Sequence, residues 1–221
     1  MGTADKVCCA ALAVRDQADT LGIRPAETSF ILLEMGFAFT AALAVERGRI
    51  VDGIGGSSGG PGFLTLGGMD AELASRLGEF PGTLLFTGGA HDMSRVPGMT
   101  PERLAAERET YADAWHLLVE SAVKSVAALA VAVERPREIL LTGRLTRIPD
   151  IAQTLSVRLA RFGPVRTVHR RARRAKEAAE GAFVIGDGLL GGACAPVVEA
   201  MELRGASGTM YDHVLVKGMR R

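Results

Sequence analysis

The stretch ILLEMGFAFTAALAVERGRIVDG, residues 31–53, decides the fold. Phe30 to Leu33 form an apolar run suited to a sheet interior, and Gly36 interrupts it. Phe39, Ala41, Leu43 and Val45 then alternate with Thr40, Ala42, Ala44 and Glu46, which is the period of a strand. Arg47-Gly48 supplies a turn, and Arg49 to Ile54 reads as the returning strand. Three consecutive antiparallel strands are therefore predicted over residues 30–54, with a glycine at the first bend.

Outward from this meander, residues 4–21 are Ala-rich with a helical apolar period, closed by Gly22 and Pro25. Downstream, Asp70 to Leu77 reads as a short helix and Thr83 to Thr87 as a short strand ending in Gly88-Gly89. Residues 101–133 are predicted as one long helix, with Thr100 as its cap and Pro101 in the first helical position. Trp115, Leu118, Val119, Ala122, Val126, Leu129, Ala130 and Val133 recur along it at steps of three and four, marking a core-facing stripe that Pro136 ends. A strand at Glu138 to Leu141 follows, then a helix at Asp150 to Arg161 and a strand at Val165 to Val168. A small-residue helix at Ala175 to Leu190, a short helix at Val197 to Leu203 and a terminal strand at Tyr211 to Val216 complete the reading. Antiparallel strands leading into strand–helix alternation make an α/β domain with a mixed sheet.

Composition bounds the function. In 221 residues, 48% hydrophobic and 23% charged, global disorder is excluded. A formal charge of +1 argues against wholesale coating of nucleic acid or anionic membrane. The longest apolar runs, such as residues 125–133, are too short to span a bilayer, and no secretory signal is visible. Cys8, Cys9 and Cys194 have no metal-type spacing and suit a reducing cytoplasm. The four histidines are scattered, no P-loop signature occurs, and Ser57-Ser58 lack the strand–helix context of a hydrolase elbow.

What remains is glycine. Eight of the 27 glycines fall in GIGGSSGGPGFLTLGG, residues 53–68. Others sit where predicted strands end: Gly36 after ILLEM, Gly88-Gly89 after TLLFT, and Gly143 after EILLT. Glycine at the carboxyl edge of a sheet lets backbone N–H groups approach a phosphate, and open α/β sheets bind ligands at that edge. Each such glycine can equally be a plain turn.

In order and spacing, three stretches resemble the acetate and butyrate kinases. They are residues 31–53, ESAVKSVAALAVAVERPREILLTGRL (residues 120–145) and AKEAAEGAFVIGDGL (residues 175–189). That group belongs to the sugar kinase, heat-shock chaperone and actin superfamily, and the whole chain is similar to a family of predicted butyrate kinases. The resemblance implies a ribonuclease H-like, actin-like ATPase lobe over residues 29–221, with residues 1–28 as an interlobe helix and connector. It implies an ATP-dependent transferase forming an acyl phosphate from a small carboxylate, with Mg²⁺ bridging the phosphates. Gly36, Thr40, Gly88, Gly89, Gly143 and Arg144 would then border the nucleotide. Gly55, Gly56, Ser57, Ser58, Gly59 and Gly60 would lie near the acyl substrate. Glu34 would approach the metal through water or, alternatively, stand as a strand-end carboxylate in solvent.

The chain also differs from that pattern. Gly36-Phe37-Ala38 replaces Gly-x-Gly, Thr142-Gly143-Arg144 replaces Thr-Gly-Gly, and residues 66–70 carry no arginine. Nothing before Phe30 resembles a first lobe. Covering the helix at 4–21 would then need either that lobe or self-association as a homodimer. A non-catalytic nucleotide- or metabolite-binding protein of the same fold is the alternative reading. The basic run from Arg158 to Lys176 lacks interleaved aromatics, so a solvated face is favoured over nucleic-acid binding.

Overall fold

A computed structural model describes residues 3–209 and residue 212. The chain begins with α1 (Ala4–Leu21), whose last turn closes on Gly22 in a left-handed conformation, its N–H donating to the Ala18 carbonyl. The meander follows as β1 (Ser29–Met35), β2 (Thr40–Glu46) and β3 (Arg49–Ile54). Arg47 and Gly48 both adopt positive φ, the geometry that a two-residue hairpin turn demands. Beyond the glycine loop come α2 (Ala71–Leu77), capped by the Asp70 carboxylate, and the single turn α3 (Ala90–Met93). Next are α4 (Pro101–Ala106), α5 (Ala112–Leu129), β4 (Glu138–Thr142) and α6 (Pro149–Leu159). The chain continues through β5 (Val165–Thr167), α7 (Glu177–Leu189) and α8 (Ala195–Ala200).

The described residues form one five-stranded sheet in the order β3-β2-β1-β4-β5. β1 runs antiparallel to β2 and parallel to β4, as expected of three antiparallel strands joined to strand–helix units. Ile31, Leu33, Met35, Ala42, Ala44, Ile139 and Leu141 face α5 and α6. Phe30, Leu32, Leu43, Val45 and Leu140 face α1, α7 and α8. Both faces of β1, β2 and β4 are thus covered, which is why these strands read as nearly continuous apolar runs. Trp115 lies in the α5-side core, where its position in the stripe predicts it.

Two expectations change. Residues 101–133 make two helices, because Glu107, Arg108, Glu109 and Thr110 interrupt the apolar stripe. Arg103 braces that break, donating to the Glu107 carboxylate and the Tyr111 hydroxyl. Residues 83–87 are not a strand. Gly82–Phe86 wind as a 3₁₀ turn in which the N–H groups of Leu84 and Thr87 bond to Pro81 and Leu84 carbonyls, leaving an isolated Thr65–Gly88 bridge in place of a ladder. On α1, Cys9–Val14 and Ala18 are buried against α7, α8 and the sheet. The strand expected at Tyr211 to Val216 lies outside the described residues. Among those described, no helix is long and apolar enough to cross a membrane.

Candidate functional site

The parallel strands β1 and β4 end side by side, with Glu34 opposite Thr142. Gly143 follows at φ +99°, and a β-carbon there would lie 2.7 Å from the Met35 carbonyl carbon. The close approach of the two strand ends therefore requires glycine at this position. Across the sheet, Gly36 donates its N–H to the Phe39 carbonyl at 3.0 Å, closing a tight turn between β1 and β2. Thr40 pairs with Met35 just beyond that turn. The hydroxyls of Thr40 and Thr142 are both buried and neither has a hydrogen-bond partner within the protein. A buried, unpaired hydroxyl costs about 1–3 kcal/mol, so two at one edge are unusual.

By strand alternation Glu34 and Thr142 face α1, while Thr40 faces α5. Lys6, in the first turn of α1, donates to Glu34 Oε2 at 2.6 Å and lies 3.0 Å from Asp5 Oδ2. The Lys6 and Glu34 side chains are only 15% and 13% exposed, so this is a largely desolvated pair. Burial works against the ammonium, but the charge and hydrogen bond of Glu34, with help from Asp5, hold Lys6 above its ordinary value. Glu34 is buried more deeply. Its carboxyl is pushed above the usual range by that burial, against the pull of Lys6.

The magnesium ion implied by the resemblance does not fit this carboxylate. Its Oε2 is already taken by the Lys6 ammonium, a like charge that an approaching divalent cation would meet at close range. Among the described residues, no three His, Cys, Asp or Glu side chains gather into a metal site.

The glycine loop divides into two parts. Gly55, Gly56, Ser57 and Ser58 line a pocket of about 540 Å³ on the α1 side of the sheet, together with Lys6, Val7, Leu43 and Ile50. Gly55 packs on Ala41, where a β-carbon would meet the backbone at 2.9 Å. Gly59 and Gly60 do not line this pocket. The Gly59 carbonyl accepts from Gly68, and Gly60 packs against Ser121 of α5.

Gly88 and Gly89 do not join the β1–β4 edge through a strand end. Gly88 donates its N–H to Asp92 and Gly89 donates to the Leu64 carbonyl, so both brace the loop internally. Arg144 does join the edge. Its guanidinium lies 4.7 Å from the centre of the Phe37 ring and 3.6 Å from Glu102, linking the turn after β4 to the turn after β1. Part of the basic run is tied down: Arg166 pairs with Asp16 and Glu138, Arg170 with Glu177, and Arg171 with Asp19.

Sequence reasoning missed Lys6 and the Thr142 hydroxyl. Lys6 did carry a signal, because a cation in the first turn opposes the helix dipole and needs an anionic partner. Which partner is a matter of tertiary structure.

A family model described as "Protein of unknown function (DUF1464)" matches residues 1–216. A comparison with curated proteins found no match. Among solved structures, the chain is similar to an acetate kinase from Porphyromonas gingivalis, with TM-score 0.60 and 14% identity over 77% of this chain and 51% of that one. A propionate kinase from Francisella tularensis gives TM-score 0.60 and 14% identity over 73% and 51%. An acetate kinase from Entamoeba histolytica gives 0.55 and 14% over 68% and 42%. At such identity the likeness shows the fold, an actin-like ATPase lobe. The chain spans about half the length of the structures it matches.

Proposed function

The chain belongs to the DUF1464 family, and from its kinase-like fold we propose that it is the nucleotide-binding lobe of a butyrate kinase-like phosphotransferase. The reaction would move the terminal phosphoryl group of ATP to a small carboxylate. The observation that carries this reading is the meeting of the Gly36 and Gly143 turns at one sheet edge, with the unpartnered Thr40 and Thr142 hydroxyls on its two faces. Phosphoryl transfer asks a protein mainly for positioning and charge stabilisation, which is what backbone N–H groups and hydroxyl donors at such an edge supply.

In this proposal Gly36, Thr40 and Gly143 border the phosphates, and Arg144, held against Phe37, lies beside the nucleoside. The pocket behind Gly55–Ser58 has apolar walls suited to a short acyl chain. Phe86 packs on Phe39 beside the β1–β2 turn, and exposed Phe37, Leu66, Phe86 and Met93 give the apolar surface that a partner lobe would cover.

Thermal unfolding with and without millimolar ADP or ATP tests the proposal. Nucleotide at a hundred times its Kd stabilises by about 2.7 kcal/mol, so a rise of several degrees is expected. No shift would remove the nucleotide site. Hydroxamate trapping of acyl phosphate from ATP and butyrate then tests turnover. Binding without acyl phosphate would favour a non-catalytic nucleotide- or metabolite-binding protein, a reading supported by the missing arginine in residues 66–70.

A further inference from the structure

We propose that Lys6 is the phosphate-contacting cation of the β1–β4 edge, positioned by Glu34 and Asp5, and that phosphate-bearing ligands bind there without a divalent ion. The inference rests on the nucleotide reading of this edge and adds the residue and the metal independence.

An ammonium has three donors in fixed directions. Glu34 and Asp5 take two of them and so hold the nitrogen in place, leaving one for a ligand. The same logic operates wherever a carboxylate fixes a lysine for phosphate contact. Lys6 lines the 540 Å³ pocket and is therefore reachable from solvent. The Glu34 carboxylate also reaches the phosphate turn, with Oε1 3.3 Å from where a β-carbon on Gly36 would sit. Lys6 is thus coupled through one side chain to the turn that would cradle the phosphate.

Two independent features point to an anion at this place. Thr142 is 2% exposed, its hydroxyl has no partner, and the residue lies opposite Glu34 on the same face of the sheet. The first N–H groups of α1, an 18-residue helix, have no side-chain cap, because the Thr3 hydroxyl turns to Asp5 instead. The helix end, the ammonium and the unpartnered hydroxyl favour phosphate oxygens, with the Asp5 and Glu34 carboxylates holding the ammonium in place. A divalent ion gains little from Glu34, whose Oε2 already holds the Lys6 ammonium at 2.6 Å.

Calorimetric titration of the full chain with ADP and with tripolyphosphate, in EDTA and in Mg²⁺, tests the inference. Wild type is expected to bind both in EDTA. Lys6→Met should weaken binding by about ten- to a hundredfold, the loss of one charge-assisted hydrogen bond. Lys6→Met alone leaves Glu34 buried and unpaired, so the double variant Lys6→Met/Glu34→Gln, which removes both charges, is measured beside it. A folded double variant with weakened binding supports the proposal, and one that binds like wild type overturns it. Wild-type binding that needs Mg²⁺ overturns the proposal while leaving the nucleotide reading intact. No binding under either condition removes both. Butyrate titrated alone is the control for a general anion site, and binding weakened equally by Lys6→Met would overturn the assignment to phosphate.

Discussion

Gly181 of α7 sits directly on the carbonyl of Cys8 in α1, so close that a β-carbon would overlap the oxygen. The two helices pack against each other on one face of the sheet at this point, and glycine sets their separation. Gly181→Ala would force them apart and open the core shared by Val14 and Val184. Overpacking of this kind costs roughly 1–3 kcal/mol, more than the gain of up to about 1 kcal/mol in helix propensity. Gly186 on the same helix has nothing within 4 Å of such a β-carbon. Gly186→Ala should therefore stabilise where Gly181→Ala destabilises, and thermal unfolding of both variants checks the opposite signs.

Gly143→Ala places a side chain at φ +99° and into the Met35 carbonyl. Left-handed backbone costs an ordinary residue about 1–2 kcal/mol before any clash. The variant should lose at least about 2 kcal/mol in urea unfolding. Under the proposed function it should also lose ADP affinity in any fraction that remains folded. Unchanged stability would mean that the β1 and β4 ends are not so closely joined.

The buried end of β4 offers a different test. Arg166 donates to both oxygens of Glu138 and to Asp16, while Gln17 donates to Glu138 and accepts from the N–H of Ser29. This network ties α1, β1, β4 and β5 together. Arg166→Met strands two buried carboxylates, a loss expected at roughly 3 kcal/mol. Arg166→Lys should recover only part of it, because an ammonium cannot reproduce the bidentate fork. A loss below about 0.5 kcal/mol for Arg166→Met would contradict the network.

Which parts of this fold were legible follows from where their causes lie. The β1–β3 meander is written locally, in an apolar run, an alternation and the Arg47-Gly48 turn. The two-sided burial of β2 is less so, although Ala42 and Ala44 leave room for α5. Thr-Leu-Leu-Phe-Thr at 83–87 has strand-forming side chains, yet a strand also needs a free edge to join, and local bonds to Pro81 and Leu84 won instead. Gly36 and Gly143 could be read as an edge because glycine ends each strand, whereas Thr40 and Arg144 entered through the family resemblance. The Lys6–Glu34 pair spans 28 residues with no repeating pattern, so only the packing of α1 on the sheet reveals it.

The thiols give a simple check on that packing. Burial pushes the Cys9 thiol up to about 12, and it also raises Cys8 and Cys194, the latter with a hydrogen bond to Asp187. Because the thiolate is the reactive form, the native chain should react slowly with a thiol reagent at pH 8. All three cysteines should react at once in denaturant. Rapid labelling of native Cys9 would show that α1 is not seated as described.

Thr142 sets stability against binding. Its hydroxyl is buried without a partner at the strand end beside Gly143, while the side chain is otherwise enclosed. Thr142→Val keeps the shape and replaces the hydroxyl with a methyl group. A fold that gained nothing from the hydroxyl should then be more stable by about 1 kcal/mol, the desolvation cost relieved. If the hydroxyl donates to a phosphate, the same variant should bind ADP about tenfold more weakly, the loss of one such hydrogen bond. The two effects have opposite signs on one residue, a pattern that a purely structural threonine does not produce. Urea unfolding and ADP titration of Thr142→Val, measured on the same preparation, separate these cases: greater stability with unchanged affinity would remove Thr142 from the site.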